Sequence, residues 1–108
     1  MKATTSLEFS PQHFQSIFGD EAADWQEFIR INIETFEKGL HDLQAAVKVQ
    51  DMDVIKEIRH ALGPTLQQWS ATTLEQNLMA LTETTLFSGW PPLVPEFEAL
   101  LSALKALK

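Results

Sequence analysis

The chain has no cysteine among its 108 residues, which removes a disulfide framework and any thiolate metal site and is compatible with a reducing compartment. Basic residues are scarce: 8 Lys and Arg against 15 Asp and Glu leave a formal charge of −7. That balance disfavours binding nucleic acid by phosphate neutralisation and points to protein partners. No run approaches the ~20 apolar residues of a membrane span, and the stretch from Met1 to Phe14 lacks the apolar centre of a signal peptide. A cytoplasmic protein without membrane insertion is the expectation. Also missing are a Gly-rich phosphate loop, a paired His/Glu metal spacing and a Ser or Cys nucleophile motif. No ATP site, metal or cofactor of its own is therefore expected, nor catalysis by the chain alone.

What is present is helical periodicity. Hydrophobic residues make up 44% of the sequence, enough for one domain over residues 1–108. Ser10 and Pro11 start a short helix that Gly19 closes, with Phe14, Ile17 and Phe18 laid over one end of the fold. His13, within it, reads as a solvated or edge-packed residue. Asp20 caps a second helix whose early turns carry Glu21, Asp24 and Glu27. Trp25, Phe28, Ile29, Phe36, Leu40, Leu43 and Val47 hold its period to about Val49, a rod of roughly 45 Å. Glu34, Glu37 and Asp42 face outward, either as a solvated face or to steer a basic partner, and His41 reads as surface.

A very short link at Gln50 and Asp51 returns a third helix beside the second, with Asp51 or Asp53 as its cap. It ends near Trp69, and Ser70, Ala71 and Thr72 make a tight corner. Thr72 and Glu75 have capping-box spacing for a fourth helix with a stripe of Leu74, Leu78, Leu81 and Leu86. The stretch Phe87 to Pro92 breaks it. A last helix from Pro92 or Pro95 turns Phe97, Leu100, Leu101, Leu104 and Leu107 inward, with Lys105 and Lys108 at its negative end. With no strand-like alternation and no internal repeat, the expected fold is all-α: an up-down-up-down antiparallel four-helix bundle with a short N-terminal lid helix.

One residue does not fit a packing account. On the third helix Ile55, Ile58, Leu62, Leu66 and Trp69 share a narrow stripe. His60 points roughly 160° away from its centre, beside Asp53, Lys56, Pro64 and Gln67. Gly63 and Pro64 follow, costing about 1 and about 3 kcal/mol in a helix interior. Pro64 cannot donate to the carbonyl of His60, so a kink is expected. Gly63 thins the side-chain layer one turn on, where a partner's backbone could approach; Gly63 and Pro64 are thus the expected docking surface.

His60, Ala61, Leu62, Gly63, Pro64 and Thr65, followed by Trp69, Ser70 and Ala71 and then Leu74, resemble the histidine phosphotransfer (HPt) domain of bacterial two-component phosphorelays. That family's pattern runs His, any residue, Leu, Lys, Gly, Ser, with a hydrophobic residue and Gly-Ala about ten positions on. His60, Leu62, Ala71 and Leu74 match; Thr65 and Ser70 match in kind, and Pro64 fills the Gly position as in some relatives. Gly63 departs from it, standing where the family usually has a Lys that steadies the phosphoryl oxygens.

The resemblance implies that His60 is a phosphoacceptor. Imidazole, with an ordinary pKa near ~6.5, is a competent nucleophile at cell pH. A phospho-aspartate on a response-regulator receiver domain would meet Nε2 of His60 in line, with the receiver's Mg²⁺ and lysine balancing charge. A hybrid sensor kinase and its receiver are the implied partners of a monomeric carrier. Lys56 and Gln67 are the candidates to support the phosphate in place of the missing Lys, and a wet polar face is the plain alternative for both. Two other readings stay open: a degenerate module that docks on a receiver or kinase without accepting phosphate, and a helical adaptor that leaves His60 unexplained.

Overall fold

The computed structural model describes residues 12–18 and 21–107. Its helices are α1 (Gln12–Phe18), α2 (Ala22–Lys48), α3 (Met52–Gln68), α4 (Thr72–Met79), α5 (Leu86–Gly89) and α6 (Leu93–Ala106). The described residues are all-helical, with no strand among them. Ser10, Pro11, Gly19, Asp20 and Lys108, and the side chain of His13, lie outside the described residues.

Helix α2 is the longest, 27 residues or about 40 Å of rise. It packs on α3 and α6, which are both joined to α4, while α1 lies on α2. Ile29, Ile33, Phe36, Leu40, Leu43 and Val47 of α2 meet Ile55, Leu62 and Leu66 of α3 and Phe97, Leu100 and Leu104 of α6 in one buried cluster. Gly39 lies in the middle of that contact. A Cβ at Gly39 would come within 2.9 Å of Leu62 Cδ1, so the bare backbone lets α3 lie close just where it carries His60.

Two helix ends use the same device. Ser70 N–H donates to Gln67 O and Ala71 N–H to Leu66 O, each at 2.9 Å, and Gln50 and Asp51 donate likewise to Val47 O and Ala46 O. Both patterns are Schellman stops, with the pivot residue in the left-handed region at φ 59° for Gln50 and 61° for Ser70. Neither pivot is a glycine, the residue such stops usually use. Asp51 then caps α3, its side chain accepting from Val54 N–H at 3.2 Å.

Several expectations need correction. The α2 cap position is Glu21, which makes no side-chain cap bond. Ile17 is 65% exposed, because the i,i+4 pair Phe14 and Phe18 takes the face turned to the aromatic cluster, with Phe14 and Trp69 ring centroids 4.4 Å apart and Phe18 and Phe28 5.1 Å apart. Leu107 is half-buried. No capping box forms at α4: its cap position is Ala71, without a side-chain bond, and Glu75 is engaged elsewhere.

The fourth helix is also shorter than its leucine stripe suggests. It stops at Met79, yet Leu81 and Leu86 are still buried. The threonines that follow capture the backbone: Thr85 Oγ1 donates to Ala80 O at 3.1 Å and accepts from Thr82 N–H at 2.9 Å. Short hydroxyl side chains that bond nearby backbone compete with helix propagation. A one-turn helix, α5, then carries Leu86 into the core and leaves Phe87 71% exposed.

Candidate functional site

His60 lies near the middle of α3, which continues through Pro64 to Gln68. Its ring is exposed, as are Asp53, Lys56, Pro64 and Gln67, so the outward face read from the period is present. The side chains of His60 and Lys56 form no hydrogen bond or ion pair with another described residue. The helix beneath is fixed from behind by Ile55, Leu62 and Leu66, each at most 4% exposed. A side chain on such a support keeps its position while its ring stays free to meet a reactant.

The turn before His60 carries Lys56 and Glu57, both exposed and of opposite charge. About 6 Å back along the axis, Lys56 offers an unpaired ammonium. It also lines a groove of about 290 Å³ with Met52, Arg59, Thr82 and Thr84. On the later side Gln67 Nε2 donates to Glu75 Oε2 of α4 at 2.7 Å. The same carboxylate oxygen would lie 3.8 Å from a Cβ on Gly63.

Gly63 is consequently buried, which corrects its place on the open docking surface. At about 100° per residue it stands roughly 60° round the helix from His60, on the flank that α4 covers. Pro64, on the other flank, is exposed. Gln67 keeps its expected position, but its amide is already bonded to a carboxylate.

Other residues that place the site were not singled out by motif. The half-buried Arg59, next to His60, donates from Nη1 to Leu81 O at 2.6 Å and Met79 O at 3.3 Å. It thereby satisfies carbonyls at the negative end of α4. Trp69 Nε1 donates to Asn32 Oδ1 at 3.0 Å, and Asn32 Nδ2 to Phe28 O at 2.9 Å, joining the end of α3 to α2 within the core. Asn32 had a signal, since it lies three residues after Ile29 on the buried stripe; Glu75 had none beyond its capping-box spacing.

His41 is exposed, in a groove of about 500 Å³ between α2 and α6 that Glu37, Glu98 and Lys105 also line. Among the described residues no group of three His, Cys, Asp or Glu could hold a metal ion, and no helix is long and apolar enough to cross a membrane. Among the described residues, the fold and site define an all-helical arrangement that presents His60, exposed and unpaired, on a helix packed from behind. Against protein-family models, curated proteins and solved structures, the chain has no significant match.

Proposed function

We propose that this chain is a histidine phosphotransfer domain, a monomeric cytoplasmic carrier that relays a phosphoryl group between receiver-domain aspartates through His60. The observation that carries the reading is the unpaired, exposed His60 ring on a helix held from behind by the buried Ile55, Leu62 and Leu66. In this reading α2, α3, α4 and α6, each in contact with two of the others, form an antiparallel four-helix bundle with α1 as its lid. In transfer, Nε2 bonds to phosphorus as the acyl-phosphate P–O bond breaks, the aspartate carboxylate is restored, and the imidazole proton passes to solvent. Mg²⁺ belongs to the receiver, and a hybrid sensor kinase supplies the phosphate upstream. Lys56, one turn away and unpaired, is the group available to balance phosphoryl charge.

A second reading is favoured by the Gln67–Glu75 bond: a docking module that binds a receiver or kinase without accepting phosphate. Incubation with phosphorylated receiver domains separates the two. The carrier is expected to take up an acid-labile, alkali-stable label that His60→Gln abolishes. Intact receiver binding with no label would reject the carrier in favour of docking alone.

A further inference from the structure

We propose that Glu75 sets how fast His60 accepts a phosphoryl group, by holding a negative charge beside the path of the incoming dianion; the inference rests on reading His60 as the phosphoacceptor. Three observations place that charge. Gln67 fixes the carboxylate from below through the 2.7 Å bond to Oε2. The oxygen lies beside Gly63, a residue about 4.5 Å further along the helix axis than His60. No described cation forms an ion pair with Glu75, so its charge is not cancelled locally.

Gly63 supplies no charged side chain to oppose the carboxylate, which would be at ordinary contact distance, 3.8 Å, from a Cβ there. Lys56 lies on the opposite side and attracts. The incoming phosphoryl group therefore meets the exposed charges of Lys56 and Glu57 and, beyond the ring, one anion held in place by Gln67. Removing the anion should speed transfer to the ring.

Phosphoramidate, a small anionic donor that reacts as the zwitterion with a protonated nitrogen, tests this without a partner protein. Its P–N bond breaks as the bond from imidazole nitrogen to phosphorus forms, neutral ammonia leaves, and the proton lost from the imidazole converts that ammonia to ammonium. The full chain, Glu75→Gln and Gly63→Lys are each followed for phosphohistidine by mass spectrometry after alkaline quench, with His60→Gln as the blank. Helicity by circular dichroism checks each fold. Glu75→Gln keeps the shape and an acceptor for Gln67, and is expected to label roughly tenfold faster at low salt, the gap closing as salt screens the charge. Gly63→Lys, which places an ammonium against the carboxylate, should move the rate the same way. Equal rates for the wild type and both variants, with equal salt dependence, would overturn the role of Glu75 while leaving His60 the acceptor. No label above the blank in any of them would remove the phosphoacceptor reading, and this inference with it.

Discussion

The α2–α3 pair and the α4–α5 segment flank the same histidine and share one core, but differ in how much exposed polar bonding each adds to it. Between α2 and α3 the contact is buried and mostly apolar, with Gly39 against Leu62 and the Trp69–Asn32 hydrogen bond within it. Around α4 and α5 Leu74, Leu78, Leu81 and Leu86 also enter the core, and polar bonds at more open sites add to them: Arg59 to Leu81 O, Thr85 to Ala80 O and Gln67 to Glu75. Buried apolar contacts resist exchange with water, whereas exposed polar ones compete with it. The histidine thus stands on the stiffer element, and the groups that tune its surroundings come from the more easily opened one.

The strongest way to break this contrast is on the stiff side. Trp69 is 0% exposed and touches Phe14, Trp25 and Phe28. Trp69→Ala should cost about 3–5 kcal/mol for the lost ring, plus about 1–3 kcal/mol for stranding Asn32 Oδ1. Set against a typical total of roughly 5–15 kcal/mol, that removes much of the fold. Urea unfolding monitored by circular dichroism measures it, and an unchanged midpoint would mean that the α2–α3 contact does not dominate stability.

On the open side the effect should be smaller and local. Arg59→Met keeps the stem but drops the bonds to Leu81 O and Met79 O, an expected loss of about 1–2 kcal/mol. Amide hydrogen exchange should quicken in residues 80–86 and stay slow in α2 and α3. Uniform acceleration through all the helices would show that the two regions open as one unit.

This division also explains what the sequence could and could not convey. Burial with a 3.6-residue period is a property of many residues at once, so α2, the outward face of α3 and the stripe of α6 are all legible. Leu81 and Leu86 continued that period past the true end of α4, because a leucine can be buried from a turn as well as from a helix. The stop depends on where Thr82 and Thr85 send their hydroxyls, a local competition that periodicity does not register. His60, Lys56 and Gln67 were readable because exposure follows from azimuth. Gly63 was misjudged because its cover, Glu75, comes from another helix twelve positions on. Gly39 and Asn32 interrupt the apolar stripe of α2 but drew no reading from the sequence, because their partners Leu62 and Trp69 come only from the tertiary structure.

The finest test concerns the corner between the two regions, where Ser70 takes φ 61° to let α3 stop and α4 begin. A non-glycine residue there bears roughly 1–2 kcal/mol of steric strain, and glycine relieves it while losing more freedom on folding, by roughly 0.5–1 kcal/mol. The balance favours Ser70→Gly by about 0.5–1 kcal/mol, a rise in Tm of about 2–6 °C for a domain of this size. Ser70→Ala keeps the strain and should give no such gain. The side chain is exposed and ten residues past His60, so neither substitution should alter labelling of the histidine. If Ser70→Gly instead loosened α4 and changed that rate, the corner would be transmitting motion between the stiff support and the groups beside the ring, and the two regions could not be treated as mechanically separate.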